Sequence, residues 1–305
     1  MTRIRAVLAA LLIAGSGAAG PRPLAAQDRQ ALSALISIGG APAIAPRLLS
    51  STLDAGVVID DIAWKALDGS DVQAYLVRPE RPAPECCAGV LFIHWFAPPD
   101  PTSNRSQFLD EAKALARRGV ISLLPSTFWS DADRYRRRTW QTDADNSIAQ
   151  ARELRRAFVM LGRQPHVERS RMAIVGHDYG AMFGSLIAAV EPDVKAAVLI
   201  AGVPKFGSWY ELGASTGVPK GEDLTAFRAS LTRIDPGFAV SQFSGALLFQ
   251  FGTRDRYTPK DQYEAFVSAA AGAKEVKTYD SGHEMTLPEI HADRTAWLAS
   301  KLRIQ

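Results

Sequence analysis

Alternating strand and helix patterns constrain this 305-residue chain more than any other feature. Gly89–Ile93 is a continuous apolar run with β-branched residues, typical of a strand buried on both faces of a parallel sheet. From there strand patterns alternate with helical patterns, the strands at 120–124, 172–175, 196–200, 246–251 and 276–279 and the helices at 106–118, 143–161, 181–190, 260–270 and 288–302. Repeated βα units predict an α/β fold with a mostly parallel central sheet flanked by helices.

Two further segments complete the predicted domain. Val57–Lys65 and Val72–Arg78 are strand-like runs joined by Asp68-Gly69, which predicts a hairpin. Residues 203–244 separate two strand patterns, and so long a plain connection is unusual in a compact domain. We therefore expect a small lid insertion at 203–244, over the carboxyl ends of the strands, with a neutral surface insertion as the alternative.

The first 26 residues have the pattern of a secretory signal peptide. Arg3 and Arg5 precede an apolar run at 6–14, and small residues follow as far as Ala26, the predicted cleavage point. The apolar run is too short for a membrane anchor. We expect one large α/β domain at 27–305, exported to the periplasm or the medium, with no integral membrane segment after signal removal.

Composition excludes some partners and leaves others open. The formal charge of +3 is small for this length, so we expect no nucleic-acid or anionic-membrane partner. The basic run at 134–138 is expected to be a solvated loop or helix start. Cys86 and Cys87 are adjacent and cannot join distant segments, and two thiols are favoured over a vicinal disulfide. We expect no metal and no cofactor, and the oligomeric state stays open.

The chemistry concentrates around Gly176-His177-Asp178-Tyr179-Gly180. This segment fits the Gly-x-nucleophile-x-Gly elbow, and it lies between a strand pattern and a helical pattern as an elbow must. In that architecture the acid and then the histidine follow the nucleophile, which predicts Asp255 after a strand and His283 after the last strand. Of the other histidines, His177 is expected to support the elbow, and His166 and His291 to lie on the surface.

From Val57 to Gln305 the chain resembles the α/β-hydrolase superfamily. The hairpin, the loop after Gly89–Ile93 and the segment 251–255 resemble the dienelactone hydrolases and related esterases. The Gly-His-Asp core of the elbow is instead similar to epoxide hydrolases and haloalkane dehalogenases. Their His-Gly-x-Pro loop corresponds here to residues 94–98, and the resemblance implies that the backbone N–H groups of Phe96 and Tyr179 form an oxyanion hole.

A carboxylate at the elbow suits attack on saturated carbon. Asp178 is ionised without a base, and its alkyl ester is then hydrolysed by water that His283 activates while Asp255 orients the ring. Our leading hypothesis is an exported hydrolase of a small organic substrate with Asp178 as nucleophile. The alternatives are a dienelactone-hydrolase-like carboxylic-ester hydrolase, with Asp178 as general base on water, and a non-catalytic binding pseudo-hydrolase. Aromatic side chains are the candidates for substrate binding, namely Trp95, Trp209 and Tyr210, with Tyr179 as a further donor.

Overall fold

The computed structural model describes residues 24–83, 87–212 and 219–304. Within this part of the chain nine strands form one sheet, in the spatial order β1-β2-β3-β5-β4-β6-β7-β8-β9. The strands are β1 (Arg47–Asp54), β2 (Val57–Lys65), β3 (Asp71–Pro79), β4 (Cys87–Ile93), β5 (Val120–Pro125), β6 (Val167–His177), β7 (Val194–Ile200), β8 (Ala246–Gly252) and β9 (Lys274–Tyr279). Pairing is antiparallel from β1 to β3 and between β3 and β5, and parallel from β5 to β9.

Helices cover both faces of the sheet. They are α1 (Leu24–Leu35), α2 (Leu109–Ala116), α3 (Ala132–Arg136), α4 (Asp143–Leu161), α5 (Tyr179–Val190), α6 (Phe206–Leu212), α7 (Gly221–Leu231), α8 (Pro236–Ser241), α9 (Lys260–Ala269) and α10 (Pro288–Leu302). None of the helices in the described residues is both long and apolar enough to cross a membrane.

Two apolar layers hold the helices to the sheet. In β4, Leu91 and Ile93 pack in one layer with α1, α4, α5, α8 and α9, whereas Val90 and Phe92 pack in the other with α2 and α10. All seven residues of β4 are buried. Burial on both faces explains the continuous apolar sequence and confirms the predicted α/β class with a mostly parallel sheet.

Several features differ from the sequence predictions. Strand β1 was not predicted, and the basic run is not simply solvated, because Arg138 is buried and pairs with Asp143 at 2.5 Å. Cys87 is disulfide-bonded, so the expectation of a thiol is wrong at that position. Cys86 lies outside the described residues.

The structure describes only part of the predicted signal peptide and of the predicted lid at 203–244. Residues 1–23 of the proposed signal peptide lie outside the described residues, and the predicted cleavage point after Ala26 falls in the first turn of α1. The segment between β7 and β8 carries α6, α7 and α8, with 213–218 outside the described residues. Its role as a lid remains a prediction.

Candidate active site

Asp178 lies at the tip of a sharp turn between β6 and α5. Its backbone has φ 57° and ψ −119°, a strained conformation for a residue with a side chain. The turn depends on two close backbone approaches, because a Cβ on Gly176 would overlap the Gly180 carbonyl and one on Gly180 would overlap the Ile93 carbonyl. Glycines therefore allow the strand and helix to approach closely enough to present Asp178 at the carboxyl edge of the sheet.

The structure brings Asp178, Asp255 and His283 together. Asp255 follows β8, and its Oδ2 accepts a hydrogen bond from His283 Nδ1 at 2.8 Å. The other ring nitrogen of His283, Nε2, lies 3.8 Å from Asp178 Oδ2. Asp255 is held in turn by the backbone N–H groups of Tyr257 and Thr258, which both donate to its Oδ1. The imidazole thus lies between two carboxylates.

The charge state of His283 follows from those carboxylates. Burial disfavours its charged form, but the hydrogen bond to Asp255 and the negative charges of Asp178 and Asp255 outweigh burial and raise the pKa of His283 to about 9. Burial raises the pKa of Asp178, whereas the bond and charge of His283 outweigh burial at Asp255 and lower its pKa. At neutral pH the His283 ring is therefore an imidazolium, hydrogen-bonded to the carboxylate of Asp255.

Three consecutive amides in the loop after β4 each donate to a side chain. The Trp95 N–H donates to Gln107 Oε1 at 2.8 Å and the Ala97 N–H to Ser103 Oγ at 2.9 Å. Between them the Phe96 N–H donates to Asp178 Oδ2 at 3.0 Å. The predicted oxyanion donor Phe96 thus contacts the elbow carboxylate itself, and the Tyr179 amide also acts to lower the pKa of Asp178. Asp178 Oδ1 is buried and has no hydrogen-bond partner among the described residues.

The peptide that carries the Phe96 N–H is also held at its carbonyl end. Trp95 C=O accepts from His94 Nδ1 at 2.7 Å and from Trp129 Nε1 at 3.2 Å. His94 Nε2 accepts from the neighbouring hydroxyls of Thr127 and Ser130. Burial lowers the pKa of His94 to about 4, so the ring is neutral and its Nδ1–H donates to the carbonyl. Bonds at the carbonyl strengthen donation by the N–H of the same peptide.

Aromatic rings from outside the β4 loop also contact His283. Trp209 of α6 stacks on the His283 ring with centroids 5.7 Å apart, and Tyr257 meets it edge-on at 5.1 Å. Within the described residues neither the Trp209 indole N–H nor the Tyr257 hydroxyl has a hydrogen-bond partner.

The other aromatic candidates already have partners. Trp95 Nε1 donates to Thr102 Oγ1 at 3.2 Å, and the Tyr210 hydroxyl is 2.7 Å from Ser147 Oγ. The Tyr179 hydroxyl lies 2.6 Å from the hydroxyl of Tyr135, deep in the aromatic cluster. Of the residues predicted to bind substrate, Trp209 alone combines a ring contact with His283 and a donor that has no partner in the described part of the chain.

Some site residues were not recognised in the sequence. Tyr257 is 55 % exposed and follows Asp255 by two positions, a spacing that could have marked it. Gln107 lies before α2 in no motif, and no sequence signal would have found it. His177 is buried directly before Asp178, and its supporting role stays a prediction. His166 is exposed, and His291 is half-exposed and accepts a bond from Arg294.

No group of three or more His, Cys, Asp or Glu side chains in residues 24–83, 87–212 and 219–304 is arranged to hold a metal ion.

Solved structures of known proteins share this fold. An acetyl xylan esterase from Paenibacillus sp. R4 superposes with a TM-score of 0.72 at 18% identity, over 90% of this chain and 93% of that one. Acetyl xylan esterase 1 from Thermoanaerobacterium gives 0.67 at 16% identity, over 90% and 93%. An S-formylglutathione hydrolase from Agrobacterium tumefaciens gives 0.58 at 16% identity, over 84% and 99%. No family model matches the chain, and no curated protein matches it by sequence. The chain has the predicted α/β-hydrolase fold.

Proposed function

We propose that this chain is a hydrolase of a small organic molecule, with Asp178, His283 and Asp255 as its catalytic triad. The observation that carries the proposal is the position of His283, 2.8 Å from Asp255 and 3.8 Å from an aspartate at the tip of a nucleophile elbow. A strained, buried carboxylate next to a histidine with a raised pKa is costly to fold and typical of a catalytic site.

Ester hydrolysis is the first candidate reaction, and the esterases among the structural neighbours favour it over epoxide or halide chemistry. Asp178 would act as general base, since burial raises its pKa and Oδ1 is free to accept a proton from water. Water loses a proton to Asp178 and its oxygen adds to the ester carbonyl. The bond between the former carbonyl carbon and the alkoxy oxygen then breaks. The alkoxide takes a proton from His283, and Asp178 returns its proton to the imidazole.

Alkyl transfer is the second candidate, favoured by the hydrogen bond from Phe96 N–H to Asp178 Oδ2. That bond leaves Oδ1 as the attacking oxygen. Oδ1 forms a C–O bond to saturated carbon while the C–halogen or C–O bond breaks and its electron pair leaves with the departing atom. The ester has no negative charge, so one of the two charges that raise the pKa of His283 is lost. The imidazolium then gives its proton to the departing alkoxide or to solvent. Neutral His283 takes a proton from water, whose oxygen adds to the Asp178 carboxyl carbon, and the oxyanion formed there meets the Phe96 N–H. The bond from that carbon to the alkyl-bearing oxygen breaks, and the alcohol leaves with the proton from His283.

A single-turnover reaction in heavy-oxygen water separates the two candidates. Enzyme in excess is mixed with compounds from two panels. One panel contains aryl and acyl esters, and the other contains epoxides and haloalkanes. Alkyl transfer puts heavy oxygen into the peptide that carries Asp178, whereas general-base ester hydrolysis puts it directly into the acid product. The isosteric variant Asp178→Asn, which has neither the charge nor the basicity, should be inactive on both panels.

Two results would count against the proposal. Unchanged turnover by Asp178→Asn or by His283→Gln would remove these residues from the mechanism. A wild-type protein that hydrolyses no member of either panel, yet binds one of them in a calorimetric titration, would support the binding pseudo-hydrolase instead.

Export is a separate proposal. It is supported by the signal-peptide pattern of the first 26 residues and by the disulfide at Cys87, since such bonds persist in oxidising compartments. Mass spectrometry of the protein from its native host should find a chain that begins near Gln27 outside the cytoplasm. An intact Met1 chain recovered from the cytoplasm would contradict it.

A further inference from the structure

We infer that Gln107 and His177 are positioning residues that tie the loop of the oxyanion donor to the loop of His283. The inference rests on the proposed function, because it concerns how the catalytic histidine is held. His177 lies within the elbow, directly before Asp178. The two side chains together connect the elbow to the loop after β4 and to the loop of His283.

The link consists of three hydrogen bonds. Gln107 Oε1 accepts from Trp95 N–H at 2.8 Å, and Gln107 Nε2 lies 2.6 Å from His177 Nδ1. His177 Nε2 lies 2.8 Å from the backbone carbonyl oxygen of His283. Together these bonds join residues of the loop after β4, the segment before α2, the elbow and the loop after β9.

The direction of every bond is determined by the two ends. A backbone N–H can only donate, so the Gln107 oxygen faces Trp95 and its NH₂ group faces His177. A backbone carbonyl can only accept, so His177 Nε2 carries a proton that it donates to His283. His177 Nδ1 must then accept from Gln107, and the ring is the neutral Nε2–H tautomer.

The surroundings favour that neutral ring. His177 is 1% exposed, and its ring stacks on Trp95 with centroids 5.0 Å apart. Burial, followed by the neighbouring charge of His283 and those of Arg294 and His291, lowers the pKa of His177 well below its ordinary value. A cavity of about 120 Å³ adjoins the ring, and Glu284 is the carboxylate on its wall. Arg294 is itself paired with Glu111.

Gln107→Glu tests the link without changing side-chain size. A glutamate presents only acceptors to His177 Nδ1, so the ring can keep a hydrogen bond there only by taking a proton. A cationic His177 would lie with its ring centroid 5.3 Å from that of His283 and would lower the pKa of His283. Gln107→Leu instead removes the link with no new charge, and Gln73→Glu, on an exposed position of β3, is the matched charge control.

Ring ¹⁵N and ¹³C shifts of labelled histidine report the outcome with no substrate. In the wild type His177 should stay a neutral Nε2–H ring from about pH 5 to pH 8, where an ordinary histidine titrates. In Gln107→Glu His177 should become protonated and the pKa of His283 should fall, while Gln73→Glu changes neither. A wild-type His177 that titrates normally, or an unaltered His283 in Gln107→Glu, would overturn the inference.

Kinetics give the second readout. On a substrate found by the panels, Gln107→Leu should lower kcat by up to about 100-fold with KM nearly unchanged, the cost of a slightly misplaced catalytic group. An unchanged kcat would also overturn the inference. If no panel member is hydrolysed but the histidine shifts behave as expected, the link stands as a structural device and it is the proposed function that fails.

Discussion

The two sides of the candidate site are built from different interactions. On the side of the elbow, hydrogen bonds satisfy the N–H groups of residues 95–97 and the carbonyl of Trp95, and the partners are buried or half-buried side chains. On the side of α6, Trp209 and Tyr257 contact His283 through their ring faces and edges. We call these the hydrogen-bonded wall and the aromatic wall.

The difference indicates a division of labour. Hydrogen bonds depend strongly on distance and angle, so they hold donors at fixed positions for charge that develops in the transition state. Ring contacts tolerate shifts and rotations, and they provide apolar area to molecules of different shape. We expect changes in the hydrogen-bonded wall to lower stability and kcat, and changes in the aromatic wall to alter KM and substrate range.

The largest effect should come from Gly180→Ala. The new methyl group would overlap the Ile93 carbonyl, a backbone atom that cannot move without displacing β4. We expect a loss of more than about 4 kcal/mol in unfolding free energy, measured by urea titration. Gly184→Ala in the same helix is the control, because its methyl group would meet side-chain atoms and no backbone, Ile174 Cγ2 at 3.0 Å and Ile93 Cδ1 at 3.7 Å. Equal losses in both variants would show that close approach at the elbow is not limiting.

The next effect concerns His283, which touches both walls. The pKa of His283 is about 9 in the folded protein and about 6.5 in the unfolded chain. Protonated His283 therefore adds to the unfolding free energy, fully below pH 6.5, and this contribution is lost as pH rises through 9. The loss of unfolding free energy should be about 3 kcal/mol, since each unit of pKa difference corresponds to about 1.4 kcal/mol. In Asp178→Asn it should be smaller, since one of the two carboxylates that raise the pKa is gone. A flat stability profile from about pH 6 to pH 9.5 in the wild type would contradict the imidazolium assignment.

Replacing His94 with Ala should weaken the hydrogen-bonded wall itself. The Trp95 carbonyl loses its shorter bond, at 2.7 Å, and the site gains a cavity next to two hydroxyl groups. We expect a loss of about 1 to 3 kcal/mol in stability, together with a fall in kcat. Ser130→Ala removes one of the two hydroxyl partners of His94 Nε2 and keeps the bond to Trp95, so its kcat should be nearly normal. Equal kcat values in the two variants would show that the bond to Trp95 does not matter for turnover.

Much of the fold could be predicted because the central strands are buried on both faces. The bounds of α4, α10 and β2 agree with the sequence patterns to the residue. Strand β1 was missed because its side chains are almost all exposed, so it has no apolar alternation and depends on pairing with β2.

In the candidate site, too, some residues could be predicted from the sequence and others could not. Asp178, Asp255 and His283 could be placed because topology fixes the order in which the strand ends supply them. Gln107 and the burial of Arg138 could not, since both depend on contacts between residues 70 or more positions apart, with His177 and with Tyr210. The direct contact of the Phe96 N–H with Asp178 follows from the position of one loop, which the sequence does not specify.

Replacing Trp209 with Phe tests the aromatic wall. Phenylalanine keeps a ring over His283 but removes an indole N–H that has no partner in the described residues. We expect a stability change of about 1 kcal/mol or less, because no internal hydrogen bond is lost. KM should change for some substrates of a panel and not for others, with kcat nearly constant. A uniform fall in kcat would show that this wall also positions the histidine, and the division of labour would be wrong.

Within the hydrogen-bonded wall, the smallest effect should come from Trp129→Phe. Its indole N–H is the second donor to the Trp95 carbonyl, at 3.2 Å, and His94 continues to satisfy that oxygen after the change. The stacked contact with Phe183 is largely kept, so the expected loss is that of one hydrogen bond, about 0.5 to 1.5 kcal/mol.

Trp297→Phe is the matched control for Trp129→Phe. It also removes an indole hydrogen bond, at 2.8 Å to Glu275, in the apolar layer on the other face of the sheet. Both variants should lose similar stability by thermal unfolding. Only Trp129→Phe should lower kcat, by a few-fold, because a less polarised Trp95 carbonyl leaves the Phe96 N–H a weaker donor to the charge on Asp178. If the two variants lower kcat equally, bonds at the Trp95 carbonyl do not tune the oxyanion donor, and the hydrogen-bonded wall differs from the aromatic wall in rigidity alone.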